Sequence, residues 1–207
     1  TDPCRSWVAC DEALQARGYG IMDCGFYIND PIYGELVRMA LAEGLVEWVV
    51  GHVLRHHLGL DRYIINPDRL WDPTCPPLAQ ERPVTILGVG ALGEACARAL
   101  TGLNFPVTGW SRSPKSIGGL TCCHGDDGLH TALRSADIVV TLLPRTPDTE
   151  NLLNARRIGW MKPGTVLLNP GRGALIDDQA QLFLIDCPNG DFWRGFWLKY
   201  RITKDLA

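Results

Sequence analysis

The sequence predicts an α/β fold built on a doubly wound parallel sheet. Apolar, β-branched runs alternate with helical patterns between residues 84 and 178, and each run is too short to be a helix itself. A glycine turn with the spacing Gly-x-Gly-x-x-Gly follows the first run and precedes a helical pattern. Strands that are separated by helical crossovers pair in parallel, with helices on both faces of the sheet.

Composition places the chain among ordinary soluble globular proteins. Of its 207 residues, 46% are hydrophobic and 21% are charged, and the formal net charge is −3. This charge gives no reason to expect binding to nucleic acid or to an anionic membrane, and no apolar run has transmembrane length. We see no signal-peptide pattern at the start. The eight cysteines include no Cys-x-x-Cys pair, which favours reduced thiols and a cytoplasmic location.

The segment before the sheet carries weaker patterns. Residues 1–30 show no period, so no element is assigned to them. A helix is predicted over 36–63, where apolar residues recur at three- and four-residue steps, and the proline-rich residues 66–82 indicate an extended connection. No acid or cysteine is placed to complete a metal site with the histidines of this helix, so we predict no metal and expect packing or surface roles for them. These histidines are His52, His56 and His57.

The first strand and its glycine turn predict a dinucleotide site. Gly88 allows a tight turn off the strand, Gly90 lets a pyrophosphate approach the backbone, and Gly93 lets the helix pack close to the sheet. The helix N-terminus then offers unpaired N–H groups to the phosphates. The predicted elements are a strand over 84–87, a helix over 94–103 and a strand over 105–110. The predicted cofactor contacts here are Gly88, Val89, Gly90, Ala91, Leu92 and Gly93.

The end of the second strand predicts which dinucleotide is bound. Folds that bind NAD usually place an acid there to hold the ribose 2′-hydroxyl, but no Asp or Glu occurs between Glu94 and Asp126. Cations and hydroxyls stand there instead, and they suit a dianionic 2′-phosphate. We therefore predict NADP(H) in preference to NAD(H), with an ordinary solvated basic turn as the alternative. The predicted contacts are Trp110, Ser111, Arg112, Ser113 and Lys115.

The α/β alternation continues to the end of the predicted sheet. The expected elements are strands over 120–122, 136–143 and 165–169, helices over 127–134 and 154–161, and a further helix from Asp177. In such sheets ligands bind beyond the carboxyl ends of the strands, so the segments that leave those ends should face one crevice. Besides the glycine turn, these segments are 111–113, 144–146 and 170–173.

Five stretches in order give the chain a specific resemblance. They are AEGLVEWVVGHVLRHH, ILGVGALG, WSRSPKS, LLPRTPDTENLLN and MKPGTVLLNPGRGALIDD, and they cover residues 30–178 approximately. The chain resembles the D-isomer-specific 2-hydroxyacid dehydrogenases, and most of all their NADP-preferring glyoxylate/hydroxypyruvate reductases. The resemblance implies a Rossmann-type cofactor domain, hydride transfer from NADPH to a small 2-oxoacid, and a homodimer through the cofactor domain, although the oligomeric state is left open.

The resemblance also assigns domains and site residues. It implies a remnant of the substrate domain over 31–82 and an incomplete NADP-binding domain over 83–178. The N-terminal segment 1–30 and the aromatic tail 179–207 are left unassigned. Within 31–82, the helix that begins near Leu41 is the one that links the two domains. Other cofactor contacts are expected along the nicotinamide ribose side and after the last strand. These are Leu143, Pro144, Thr149, Pro170 and Gly171.

Arg172 is the predicted catalytic residue. By resemblance it binds the carboxylate and carbonyl oxygen of the substrate. Independently, a guanidinium between Gly171 and Gly173 at the carboxyl end of a buried strand suits carboxylate recognition, and it would stabilise negative charge that develops on a carbonyl oxygen. A solvated loop arginine, or one bound to phosphate, is the alternative.

The chain departs from the family after Arg172. The family uses a histidine as general acid and a glutamate that orients it, both downstream of the arginine, but the last histidine here is His130 and the last glutamate is Glu150. Neither His124 nor His130 is expected to substitute for that acid. We therefore expect a truncated or rearranged product, with two functions open: a 2-hydroxyacid oxidoreductase, or an inactive module that binds NADP(H). The tail, with its aromatic residues, either covers an open sheet edge or forms a sticky or disordered end.

Overall fold

The computed structural model describes residues 20–22, 25–27, 31–64, 69, 71, 73–171, 173–177, 184–186 and 198–202. The chain divides into two compact units, Thr1–Gly44 and Leu45–Ala207. This boundary lies inside a helix and does not coincide with either of the predicted boundaries near residues 30 and 82. The assignment of those segments to a substrate domain and a cofactor domain stays a prediction.

The first unit contains a short hairpin and the start of a long helix. Strands β1 (Gly20–Met22) and β2 (Gly25–Tyr27) pair antiparallel, with Ile21 opposite Phe26. Both strands fall in the segment that the sequence left unassigned, because three-residue strands are too short to show a period. Helix α1 (Pro31–His57) follows and begins with a proline, which suits the first helical position because its missing N–H needs no partner there.

The prediction of one continuous helix over 36–63 is wrong at both ends. Helix α1 starts earlier, at Pro31, and it ends at His57. The helical conformation is interrupted at Gly59, whose φ of +64° lies in the left-handed region that glycine adopts readily. A second helix, α2 (Leu60–Ile64), follows the break. None of the described helices is both long enough and apolar enough to span a bilayer.

The second unit is organised around a seven-stranded sheet. Its elements are β3 (Val84–Leu87), α3 (Ala91–Gly102), β4 (Val107–Ser111), β5 (Thr121–His124), α4 (Gly125–Ser135), β6 (Ile138–Thr141), α5 (Ala155–Ile158), β7 (Val166–Asn169), β8 (Leu184–Asp186) and β9 (Leu198–Ile202). The strand order is β5-β4-β3-β6-β7-β9-β8, and the first five strands pair in parallel. The predicted doubly wound α/β fold is confirmed.

Two apolar layers cover the two faces of the sheet. Alternate residues of a strand point to opposite faces, and accordingly Ile86 packs in one layer while its neighbour Leu87 packs in the other. One layer joins the sheet to α3 and to the part of α1 around Val49 and Val53. The other joins it to α4 and α5. All four residues of β3, β6 and β7 are buried, as expected of central strands in a parallel sheet.

Several predicted helix boundaries need correction. Helix α3 begins at Ala91 rather than Glu94, because Gly90 is the residue that precedes its first turn. Helix α4 begins two residues before the predicted start. Helix α5 has only four residues, since the Asn154 side chain accepts the Arg157 backbone N–H at its start (3.1 Å) and Gly159 ends it. The helix predicted from Asp177 falls largely on residues outside the described ones.

The described part of the tail extends the sheet. Strand β9 pairs antiparallel with β7, with Tyr200 opposite Leu167, and β8 pairs antiparallel with β9. Of the two outcomes considered for the tail, coverage of the open edge is therefore the one found for Leu198–Ile202. The remaining aromatic residues of the tail lie outside the described residues. They are Phe183, Phe192, Trp193, Phe196 and Trp197.

Candidate functional site

The strand order creates a crevice at the carboxyl ends of β3 and β6. These strands are neighbours, but the chain leaves β3 toward β4 and leaves β6 toward β7, on opposite sides. Their following loops therefore diverge, which is the arrangement that places ligands in open α/β sheets. We call residues 88–90 the glycine bend, residues 111–115 the basic loop, and residues 142–149 the proline loop.

The glycine bend is held in place by close backbone packing. Gly88 has a φ of +104°, and a Cβ atom there would lie 2.7 Å from the Leu142 carbonyl oxygen. A Cβ atom on Gly93 would lie 2.0 Å from the Gly88 carbonyl oxygen, so the first turn of α3 can sit this close to the bend only without a side chain. The Gly88 N–H donates to the Trp110 carbonyl oxygen (2.9 Å) and ties the bend to β4.

Gly90 faces open space at the start of α3. A Cβ atom added there would meet nothing within 4 Å, and no side chain caps the helix. The amides of Ala91, Leu92 and Gly93 open the helix and have no acceptor within it. Val89 is buried, so its side chain anchors the bend from below. The open space, the free amides and the positive end of the helix dipole together suit a bound anion, and a pyrophosphate is such a group.

The basic loop touches both neighbouring loops. The Lys115 ammonium donates to the Val89 carbonyl oxygen (2.7 Å), beside the glycine bend. The Arg112 guanidinium forms an ion pair with Asp148 of the proline loop, and 75% of the Arg112 side chain is exposed. The Ser111 hydroxyl donates to the Ser113 carbonyl oxygen (2.7 Å) and closes the turn. The three loops therefore border one crevice, and its basic side chains stand at the mouth.

The proline loop is shaped by Thr149. Its hydroxyl donates to the Pro144 carbonyl oxygen (2.6 Å) and accepts the Thr146 backbone N–H (2.8 Å). The Leu143 side chain lies beside the glycine bend, with its Cδ2 3.0 Å from the position of a Cβ atom on Gly88. Leu143 thus lies at the crevice floor. The Thr149 hydroxyl stabilises the loop through its hydrogen bonds to the backbone of Pro144 and Thr146.

Trp110 does not present its side chain to the crevice. The residue is 5% exposed, it packs in the core layer with α4, and its indole N–H donates to the Gly125 carbonyl oxygen (2.8 Å). The Trp110 side chain thus fixes the end of β4, from which the basic loop departs, and the predicted cofactor contact at this residue stays a prediction.

The segment after β7 reaches the same edge of the sheet. Pro170 is buried, and a Cβ atom on Gly171 would lie 3.2 Å from Asn169 Oδ1 and 3.3 Å from the Thr141 carbonyl oxygen. The Thr141 hydroxyl donates to Asn169 Oδ1, which joins the ends of β6 and β7. Arg172 itself lies outside the described residues, so its predicted role stays a prediction.

The histidines occupy other positions. His124 is the exposed residue before the first turn of α4, and the ring of His130 packs edge-on against Trp160 at a centroid distance of 4.9 Å. On α1, the His52 ring stacks on Trp48 at 3.8 Å. Within the described part of the chain, no group of three or more His, Cys, Asp or Glu side chains is arranged to hold a metal ion.

Comparison with known proteins identifies the family. Residues 52–186 match the family model described as D-isomer specific 2-hydroxyacid dehydrogenase, NAD binding domain. The chain belongs to this family. Its match covers the glycine bend, the basic loop and the proline loop, so the crevice lies within the part of the chain that matches the NAD binding domain.

Relatives of this dehydrogenase domain include enzymes with named activities. It is 34% identical over 140 residues to the Glyoxylate/hydroxypyruvate reductase A of Serratia proteamaculans, which is 67% of this chain and 45% of that protein. It is also similar to a D-isomer specific 2-hydroxyacid dehydrogenase from Xanthobacter autotrophicus Py2, solved in complex with NADPH and MES, with 35% identity over 69% of this chain and 46% of that chain and a TM-score of 0.66.

A third relative was solved with the oxidised cofactor. It is the NADPH-dependent glyoxylate/hydroxypyruvate reductase of Sinorhizobium meliloti in complex with NADP and sulfate, with 32% identity over 69% of this chain and 46% of that chain and a TM-score of 0.64. The 2-hydroxyacid dehydrogenase chain described here spans less than half the length of each of these three relatives.

Sequence reasoning missed one residue of the crevice. Asp148 holds Arg112 across the mouth, although the two residues are 36 positions apart in the sequence. The sequence offered one signal for this contact: Asp148 is an acidic residue in the loop that follows β6, the neighbour of β3, and the loop after β4 is basic. That signal was weak, because a charged residue in a loop is most often only solvated.

Proposed function

We propose that this chain binds NADP(H) in the crevice and serves, in the whole protein, to reduce a small 2-oxoacid such as glyoxylate or hydroxypyruvate to the 2-hydroxyacid. One observation carries the proposal: the open space above Gly90, at an uncapped helix N-terminus, borders a basic loop. The printed activities of the Serratia and Sinorhizobium relatives support the substrate class, and the NADPH and NADP in the two solved relatives support the cofactor.

The preference for NADP(H) rests on the charges of the basic loop. A 2′-phosphate that enters the crevice mouth meets Arg112 and Lys115, together with the hydroxyls of Ser111 and Ser113. Asp148 competes for Arg112, but both side chains are mostly exposed, and an exposed ion pair contributes only about 0–1 kcal/mol. A dianionic phosphate, which can accept two guanidinium hydrogens at once, is therefore the stronger partner.

The proposed roles in catalysis follow the family pattern. The nicotinamide supplies the hydride when the cofactor is bound. Leu143, Pro144 and Thr149 border the nicotinamide ribose side, and Arg172 holds the substrate carboxylate and stabilises negative charge on the carbonyl oxygen. Cytoplasmic location, a homodimer and the assignment of 31–82 to the substrate domain and of 83–178 to the cofactor domain remain parts of this proposal.

A second function is favoured by one observation on the sequence. No histidine follows His130 and no glutamate follows Glu150, so these 207 residues lack the family's general acid and its orienting partner. Loss of a general acid typically lowers the rate by about 10²–10⁴-fold. The alternative is a module that binds NADP(H) without turnover.

Two measurements on the purified chain separate these functions. NADPH oxidation is followed with glyoxylate and with hydroxypyruvate, and NADPH binding is titrated without substrate. Oxidation that falls at least about a hundredfold in Arg172→Lys supports the enzyme, provided that NADPH binding is unchanged and that the control Arg134→Lys, on the exposed side of α4, keeps its activity. Binding without oxidation supports the module, and a chain that binds no NADPH contradicts both.

A further inference from the structure

One ion pair crosses the crevice from side to side. Strand β3 lies between β4 and β6, so the glycine bend leaves the sheet between the basic loop and the proline loop. Neighbouring strands are about 4.8 Å apart, which separates the two outer loops by about 10 Å where they leave the sheet. The Arg112 guanidinium reaches across this gap to the Asp148 carboxylate. A dinucleotide that lies along the glycine bend therefore has to pass this bridge.

Asp148 is the fixed half of the bridge. The Thr149 and Glu150 N–H groups both donate to the Thr146 carbonyl oxygen (3.0 Å each), and the Thr149 hydroxyl donates to the Pro144 carbonyl oxygen (2.6 Å). These hydrogen bonds lie on both sides of Asp148 and fix the turn that carries it. Because the Asp148 side chain is short, its carboxylate can move little from its position at the mouth.

Arg112 is the movable half of the bridge. Its side chain is 75% exposed, and its guanidinium bonds to Asp148 alone among the described residues. Exposed side chains change rotamer within picoseconds to nanoseconds. The Ser111 hydroxyl donates to the Ser113 carbonyl oxygen (2.7 Å) and closes the turn of the basic loop. The guanidinium can therefore swing away from Asp148 while the backbone of the basic loop stays in place.

A 2′-phosphate at the basic loop offers Arg112 a stronger partner than Asp148. A phosphate dianion accepts two guanidinium hydrogens at once and carries more charge than a carboxylate. Lys115, whose ammonium lies beside the glycine bend, adds a second cation on the same side of the crevice. The Asp148 side chain is 64% exposed, so water solvates its carboxylate once Arg112 has turned away. Opening the bridge in this way leaves no buried charge without a partner.

We propose that Arg112 and Asp148 form a gate across the cofactor crevice, which a 2′-phosphate opens by binding Arg112 and which closes again over a cofactor without that phosphate. This inference rests on the proposed binding of NADP(H) in the crevice, and it adds that Asp148 governs how fast a cofactor enters and leaves. With NADPH bound, the phosphate holds Arg112 and Asp148 is released. With NADH bound, the ion pair forms again and retains the cofactor.

Stopped-flow kinetics of Asp148→Asn, followed by the fluorescence of the reduced nicotinamide, test the gate. NADH should associate and dissociate faster by the same factor, about 1.4- to fivefold as expected for an exposed ion pair, with its affinity unchanged. NADPH should associate faster by that factor and dissociate at the unaltered rate, because its bound state has no ion pair to lose. NADH release is decisive, since loss of a negative charge alone would slow the release of an anionic cofactor.

Glu150→Gln is the matched control. It removes the same charge two residues further along the turn, but the partner of Glu150 is Arg145 (3.1 Å), on the same side of the crevice. NADH release from this variant should be no faster than from the unaltered chain. Arg112→Gln should speed NADH release as Asp148→Asn does, and the double variant should add nothing further, because either change alone removes the gate.

Failure of the gate and failure of the proposed function give different results. A chain that binds neither cofactor contradicts both. Binding of both cofactors, with NADH release unchanged or slowed in Asp148→Asn, overturns the gate alone, as do additive effects in the double variant. Equal acceleration of NADH release in Asp148→Asn and Glu150→Gln also overturns it, because release would then respond to the charge of the turn and not to the bridge.

Discussion

The two ends of the parallel strands hold positive charge in different ways. Beyond the carboxyl ends, Arg112 is 75% exposed and paired with Asp148, and the groups that face the open space are backbone amides at the start of α3. Beyond the amino ends, His57 is 7% exposed and its ring packs against Phe105, and the positive charge comes from arginine side chains such as Arg82. The groups beyond the carboxyl ends are thus backbone amides positioned by glycines, whereas those beyond the amino ends are side chains.

The largest effect should come from filling the space above Gly90. Gly90→Ala adds a methyl group that meets no protein atom within 4 Å, at a φ of −75° that alanine tolerates, so the fold should be unchanged. The methyl group lies where the pyrophosphate is expected, and NADPH affinity should fall about a hundredfold, which is ~2.7 kcal/mol. Titration calorimetry measures the affinity, and thermal unfolding checks the fold.

The matched variant Gly93→Ala sharpens this prediction. Its Cβ atom would lie 2.0 Å from the Gly88 carbonyl oxygen, so α3 must move. We expect a loss of about 1–3 kcal/mol in the free energy of unfolding, in contrast to Gly90→Ala. Equal unfolding temperatures for the two variants would show that the bend is looser than the structure has it.

Arg112→Gln should separate the two cofactors. Loss of the guanidinium removes a charged hydrogen-bond donor from the 2′-phosphate and should weaken NADPH binding about 10- to 100-fold. NADH has no 2′-phosphate, so its affinity should stay within about twofold of the unaltered chain, because only long-range charge is lost. Competition titrations with both cofactors give these values, with Arg134→Gln, on the exposed side of α4, as control. An equal loss for NADH and NADPH would remove Arg112 from cofactor selection.

His57 should make stability fall on the acid side of neutrality. The pKa of His57 in the folded chain is lowered from 6.5 by burial and by the charge of Arg82. Below about pH 6.5, His57 therefore binds a proton more readily in the unfolded chain than in the folded chain. The free energy of unfolding should therefore decrease as the pH falls, by up to about 1.4 kcal/mol per pH unit from this residue. Urea unfolding in phosphate-free buffer measures it.

The control for this pH dependence is another histidine of the same helix. His57→Gln should flatten the acid-side loss. His52→Gln should keep it, because the His52 ring stacks on Trp48 and its Nδ1–H donates to the Trp48 carbonyl oxygen (2.9 Å). A pH profile that is the same in His57→Gln and the unaltered chain would show that His57 protonates freely in the fold.

Asp148→Asn should have the smallest effect. It releases Arg112 from an exposed ion pair worth about 0.2–1 kcal/mol, so NADPH affinity should rise between about 1.4- and fivefold. NADH affinity should not rise, because it has no phosphate at that position. A fall in NADPH affinity, measured in the same competition titrations, would mean that Asp148 positions Arg112 for the phosphate rather than competing for it.

The difference between the two ends of the strands also shows which features of the fold could be predicted from the sequence. The strand at Val84–Leu87 was predicted with its observed bounds, because a short β-branched run between Pro83 and Gly88 leaves few alternatives. The start of α3 was misplaced because Gly93, counted as part of the turn, lies inside the helix and packs on Gly88. Local motifs therefore predicted the sheet and the glycine bend well.

Contacts between distant residues were beyond such motifs. The Arg112–Asp148 pair joins two loops that only the strand order brings together. Likewise, a pocket of about 400 Å³ is lined jointly by the end of α1, by Arg82 before β3 and by Gly164 before β7. The burial of Trp110 was missed for the same reason: its indole partner, the Gly125 carbonyl oxygen, lies 15 residues further on. Such features depend on tertiary packing and carry no local pattern.

Titration of the unaltered chain with NADPH and with NADH at the same ionic strength measures whether backbone amides after β3 and the cations of the basic loop together hold NADP(H). We expect saturable binding of both cofactors, with NADPH at least about tenfold tighter because of its extra phosphate. Equal affinities, tighter binding of NADH, or no binding of either would contradict this assignment.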